Sequence, residues 1–111
     1  VFARLFNRFR IPEISPAEAH ARQQAGALIL DVREPHEWRG GHIPGAHLIP
    51  LDDLPQRVNE LDPNRELIVV CRSGNRSAYA TLLLQQAGFT RVANLTGGMI
   101  AWARAGLPVT R

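Results

Sequence analysis

An uninterrupted apolar run, Leu67-Ile68-Val69-Val70, stops at Cys71, passes through Arg72-Ser73-Gly74-Asn75-Arg76-Ser77, and enters a stretch of helical character from Ala78 to Ala87. A buried strand that ends in a thiol, turns through a short glycine loop and starts a helix builds an anion cradle. Successive loop N–H groups and the helix N-terminus converge on the sulfur. The guanidiniums of Arg72 and Arg76, with the helix dipole, favour thiolate over thiol, and the thiolate is the nucleophile. Most free cysteines are small buried hydrophobes. A core cysteine has no use for flanking arginines and a glycine loop, so Cys71 is expected to be reactive, in an electropositive and partly exposed setting.

The remaining chain repeats the alternation of strand and helix. Ile14 opens a short strand, and Ser15-Pro16-Ala17-Glu18 reads as a capping box with proline at the first helical position, for a helix reaching about Gln24. A strand over 27–32 ends in Asp31-Val32-Arg33. One helical turn is expected over 34–38, a brief strand over 47–49 and a helix over 54–61. Strand 66–70, helix 77–87 (capped by Ser77), strand 92–95 and helix 99–105 complete the order. This pattern implies an α/β fold with a central, mostly parallel sheet and helices on both faces, with ligands at the carboxyl ends of the strands. Cys71 stands at such an end. Ahead of this domain, residues 13–111, lies an arm of residues 1–12. Within it Phe2, Leu5, Phe6 and Phe9 recur at helical spacing with arginines opposite, which reads as a short amphipathic helix docked on the domain in preference to a membrane surface.

Composition narrows the chemistry. With 111 residues and 45% hydrophobic content the chain is large enough for an independent core. All 13 basic residues are arginine, which excludes a Schiff-base lysine and the lysine of a phosphate-binding P-loop. A single cysteine forms no internal disulfide, points to no oxidising compartment, and leads us to expect a cytoplasmic location. It also rules out metal sites built on several thiolates. Any covalent sulfur intermediate on it must be discharged by an external acceptor, since there is no second thiol. All ten carboxylates lie before residue 67; residues 67–111 carry five arginines and no acid. That half should concentrate small anions near Cys71. Its arginines are scattered singly without interleaved aromatics, which argues against nucleic acid.

Four segments occur in order: Asp31-Val32-Arg33 with Glu37-Trp38; Gly41-His42-Ile43-Pro44-Gly45-Ala46; Cys71 to Ser77; and Gly97-Gly98 with Trp102. Together they resemble the rhodanese homology domain over about residues 13–108, a family of sulfurtransferases that carry sulfur as a cysteine persulfide. The resemblance implies a single-domain sulfurtransferase with Cys71 as the nucleophile. Arg72, Ser73, Gly74, Asn75, Arg76 and Ser77 would bind a small anionic donor such as thiosulfate, and a thiol, a protein or cyanide would accept the sulfur. No metal or organic cofactor is implied. Asp31 and Arg33 are expected to be architectural, with Asp31 bracing the loop. Arg76 is equally open to a donor contact or a bracing role, while Arg72 is the better candidate on the solvent side.

Histidines 42 and 47 lie among turn residues without a third ligand nearby and read as structural rather than metal-binding. Trp38 and Trp102 read as core aromatics, the second with the option of lining the pocket mouth. Two rival functions follow from the same fold. A phosphatase or arsenate reductase of this architecture has five residues between cysteine and arginine; here four separate Cys71 from Arg76, and no acid follows Glu66 to protonate a leaving group. The other rival is a sulfur carrier or interaction module that does not turn over.

Overall fold

The computed structural model describes residues 10–111, so the amphipathic pattern expected over 2–9 lies outside the described residues. The last residues of the expected arm are held against the domain. The Arg10 carbonyl accepts from Gln85 Nε2 at 3.0 Å and the Pro12 carbonyl from the Asn94 amide at 2.8 Å.

Among the described residues there are five strands: β1 (Glu13–Ile14), β2 (Leu28–Asp31), β3 (His47–Leu48), β4 (Leu67–Val70) and β5 (Val92–Leu95). They form one sheet in the order β1-β5-β4-β2-β3 with every pairing parallel. The helices are α1 (Pro16–Gln24), α2 (Pro35–Arg39), α3 (Leu54–Arg57), α4 (Asn75–Gln86) and α5 (Gly98–Arg104). The sheet is central because β4 is buried on both faces. Leu67, Val69 and Cys71 join the core under α3 and α4, while Ile68 and Val70 join the one under α1 and α5. Two-residue side-chain alternation therefore runs one step past the strand end, and it sends the Cys71 thiol toward α4.

Local chemistry sets the element ends, with three departures from the sequence reading. At α1, Ser15 Oγ accepts the Glu18 N–H at 3.2 Å, but the Glu18 carboxylate turns to Arg22 Nε at 3.0 Å and leaves the capping box half made. The helix expected over 54–61 breaks after α3, where Arg57 leaves the helical region (φ −117°, ψ 8°), and a 3-10 turn, Val58–Glu60, follows. Helix α4 starts at Asn75, two residues earlier than expected, with Gly74 in the capping position at φ 110°. Ser77 therefore lies inside the first turn and is not the cap.

Helix α5 closes over the cysteine loop. The Met99 and Ile100 amides donate to the Cys71 and Arg72 carbonyls at 2.8 and 3.1 Å. That approach is possible because residue 98 has no side chain: a Cβ there would sit 2.5 Å from both carbonyl oxygens, at a φ of 59°. The left-handed conformation alone disfavours alanine by about 1–2 kcal/mol, and overpacking adds about 1–3 kcal/mol. Gly98→Ala should therefore lower the melting temperature by roughly 10 °C or more. Gly106→Ala, at φ 73° with open space around it, should show only the conformational part. Thermal unfolding of the two variants checks this.

Candidate active site

The Cys71 sulfur is the acceptor of a converging set of donors. The Gly74 amide reaches Sγ at 3.1 Å and the Ser77 hydroxyl at 3.2 Å. Both arise from the way the loop is wound. Gly74 takes up the left-handed turn that folds its own N–H back over the thiol, and α4 then starts, leaving its first amides without intrahelical partners. Only 1% of the residue's surface reaches solvent. Sequence reasoning expected a partly exposed thiol. The strand's alternation instead tucks it beneath the loop, against the core under α4.

Burial is the largest influence on this thiol and pushes its pKa up. The Ser77 hydroxyl and the amides of Ser77, Gly74 and Ser73 pull the other way and together prevail, so the thiol is held below its ordinary value. Neutral donors fixed by the backbone therefore favour the thiolate. The sequence pattern assigns this part jointly to the loop amides, the helix N-terminus and the guanidiniums of Arg72 and Arg76. Arg76 donates through both terminal nitrogens to the Glu37 carboxylate at 2.7 and 2.9 Å and keeps only a lesser charge interaction with Cys71, while Arg72 is exposed on the loop rim.

Asp31 and Arg33 do come to the carboxyl end of β2, next to β4, but their bracing of the loop is indirect. The buried Asp31 carboxylate accepts from the Arg33 amide at 3.0 Å and from the Arg33 guanidinium at 2.8–3.1 Å. Arg33 in turn donates to the Gly41 and Glu37 carbonyls at 2.8 and 3.3 Å, which fixes α2. Helix α2 presents Glu37 to Arg76, and Arg76 belongs to α4. Force between Asp31 and the loop thus passes through Arg33, α2, Glu37 and Arg76.

A second brace was missed from sequence. Asn94 Nδ2 donates to the Gly74 carbonyl at 3.1 Å and to both Glu13 oxygens at 3.2 Å, and Thr96 Oγ1 donates to the same carboxylate at 3.0 Å. Its signal was present: Asn94 is the one polar residue in an otherwise apolar strand, Val92 to Leu95. Ser73 and Asn75 are exposed on the loop with Arg72.

The histidines and tryptophans sit apart from the thiol. His42 Nδ1 bonds the Trp38 carbonyl at 2.8 Å, and its ring stacks on Trp38 at 3.6 Å. His47 faces Glu60 at 3.4 Å. Trp38 is only half-buried, not a core residue. Trp102 is fully buried with its indole N–H on the Pro108 carbonyl at 2.8 Å, and it borders a cavity with His20 and Gln23 rather than the one beside the loop. The loop-side cavity, about 450 Å³, includes Arg72, Glu37, Met99, Ile100 and Val109 in its walls.

Arg76 holds the Glu37 carboxyl down to about 2, against burial, with help from the Glu34 amide. A carboxyl depressed in the folded state adds stability above its unfolded pKa and loses it as pH falls through the folded value. With solvent screening allowed for, the pair should be worth about 1–2 kcal/mol. Glu37→Gln should cost that much in urea unfolding at neutral pH. The gap to wild type should close between about pH 4.3 and pH 2.

A family profile described as the Rhodanese-like domain matches residues 15–105. A sulfurtransferase of Allochromatium vinosum is 46% identical over 82 residues, covering 74% of this chain and 77% of that protein. The thiosulfate sulfurtransferase GlpE of Stutzerimonas stutzeri is 39% identical over 89 residues, covering 80% and 82%. Among solved structures, a rhodanese-related protein from Thermoplasma volcanium superposes with a TM-score of 0.84 at 33% identity, over 89% of this chain and 97% of that one. The profile spans most of the chain, and the solved relative repeats its sheet and helices. The chain belongs to the Rhodanese-like domain family.

Proposed function

We propose that the protein is a sulfurtransferase that uses Cys71 as its nucleophile, thiosulfate as donor and a thiol as cellular acceptor. The observation that carries this reading is the convergence of the Gly74 amide and the Ser77 hydroxyl on Cys71 Sγ. Donors fixed around a sulfur stabilise it as an anion before it attacks the donor and again when it departs as the thiolate. In the loading step the Cys71 thiolate attacks the outer sulfur of thiosulfate. A new sulfur–sulfur bond forms, the old one breaks, and sulfite leaves with its electron pair. In the unloading step an acceptor thiolate attacks the terminal persulfide sulfur, and Cys71 departs as the thiolate. Neither step needs a proton, which suits a loop half without a carboxylate. A lone thiol that must stay reduced suits a cytoplasmic setting.

The two loop arginines take different parts. Arg76 is committed to Glu37, so it braces the loop. Arg72 has no carboxylate partner among the described residues and is exposed beside the loop-side cavity, so it meets the incoming dianion. Similarity to a thiosulfate sulfurtransferase supports the choice of donor.

Incubation with thiosulfate alone should yield a protein one sulfur heavier by intact-mass spectrometry, and cyanide or a small thiol should restore the original mass. Cys71→Ser should abolish the gain, and Ser77→Ala should slow loading roughly 10- to 100-fold, the loss of one hydrogen bond to a charged group. Loading without turnover in cyanide would make the protein a carrier. An unchanged mass, or transfer that survives Cys71→Ser, would move the chemistry away from this loop.

A further inference from the structure

Holding a sulfur and holding an oxyanion ask different things of a loop. A single sulfur atom is held by donors aimed at one point. A tetrahedral oxyanion is held best by a guanidinium that offers two parallel N–H groups. Arg76, on the first turn of α4, lies near enough to Cys71 for their charges to interact. Both of its terminal nitrogens are nevertheless taken by Glu37, at 2.7 and 2.9 Å, one on each carboxylate oxygen. That is the side-by-side geometry an oxyanion would require. Glu37 is itself held in place. Its Oε1 also accepts the Glu34 amide at 3.0 Å, and α2, which carries it, is fixed by Arg33 through the Glu37 and Gly41 carbonyls. Its side chain is 18% exposed against 37% for Arg76, so the carboxylate is the more covered half of the pair.

We infer that Glu37 is a specificity-determining residue: by occupying the Arg76 fork, it withholds from the loop a cation that would otherwise select tetrahedral oxyanions such as phosphate. The inference rests on Cys71 as the nucleophile of the proposed sulfur transfer and names what that site refuses. With Arg76 held, the side-chain and backbone bonds at Sγ come from the Gly74 amide and the Ser77 hydroxyl, which converge on one atom rather than on the corners of a tetrahedron. Arg72 stays exposed on the rim, where it meets an incoming dianion without enclosing it. The same separation lets sulfite leave after loading, since Arg76 does not grip it. A clamp that served only as a brace would cost stability when cut. A clamp that withholds a cation predicts a gain of anion binding.

Phosphate protection of Cys71 against iodoacetamide, measured at constant ionic strength so that screening stays equal, reads that gain. In Glu37→Gln, half-protection should need roughly 10- to 100-fold less phosphate than in wild type, the worth of a charge-assisted bond to the released guanidinium. Glu37→Ala, which leaves Arg76 no amide oxygen to turn to, should tighten binding at least as much. Combining Glu37→Gln with Arg76→Gln should return the protein to the wild-type phosphate requirement. Glu18→Gln, which removes a carboxylate from Arg22 on α1, should leave that requirement where it is. No tightening in either single Glu37 variant would overturn the inference. A gain that survives the loss of Arg76, or that Glu18→Gln reproduces, would overturn it too. The assay uses no sulfur donor, so a wild type that fails to load from thiosulfate would sink the donor reading and leave this one standing. A Cys71 that resists iodoacetamide in every variant would sink the nucleophile reading and this inference with it.

Discussion

A buried sulfur can serve as a nucleophile only if something offsets the loss of water around its charge. At Cys71 the offset is a set of neutral donors: three amides and one hydroxyl, all supplied by the seven residues from Cys71 to Ser77. The donors are held by the backbone, so the sulfur does not have to recruit them when it becomes charged. Burial and hydrogen bonding thus act against each other at one atom, and the loop geometry decides the result in favour of the thiolate.

Much of the surrounding structure keeps that loop in one shape. Asn94 anchors the Gly74 carbonyl from β5, the α5 amides take the Cys71 and Arg72 carbonyls, and the Glu37–Arg76 pair ties the start of α4 to α2. Each brace comes from a different element, and all meet because β4 lies between β5 and β2 in the sheet. The buried Asp31–Arg33 pair does for α2 what Asn94 does for the loop: Arg33 donates to the Gly41 carbonyl, and Asn94 adds a side-chain bond to a Gly74 carbonyl that also takes the Ala78 amide. Removing one member of that pair would strand the other in the core, so its value lies in completeness rather than net attraction.

The sequence made the β4–loop–helix unit readable because every signal in it is local: a fully apolar strand, a glycine at the turn and a helical pattern directly after. The parallel sheet followed from the alternation of such units. What escaped the reading depends on distance along the chain. Arg76 and Glu37 are 39 residues apart, and only the adjacency of β2 and β4 brings them together. Ser77 was read as a cap because a serine before a helix usually caps it; with Gly74 taking the left-handed position, its hydroxyl is freed for the sulfur. The expected exposure of Cys71 failed for a simpler reason. Strand alternation outlasts the strand by one residue, and the thiol follows Leu67 and Val69 inward.

Ultraviolet absorbance of the Cys71 thiolate, followed against pH in the wild type, Ser77→Ala and Arg76→Gln, tests this account most directly. The wild-type midpoint should fall below the free-cysteine value of about 8.5. Ser77→Ala should raise it markedly, and Arg76→Gln should move it less. A wild-type midpoint at or above the free value, or a larger rise in Arg76→Gln than in Ser77→Ala, would contradict the claim that neutral hydrogen bonds hold the thiolate.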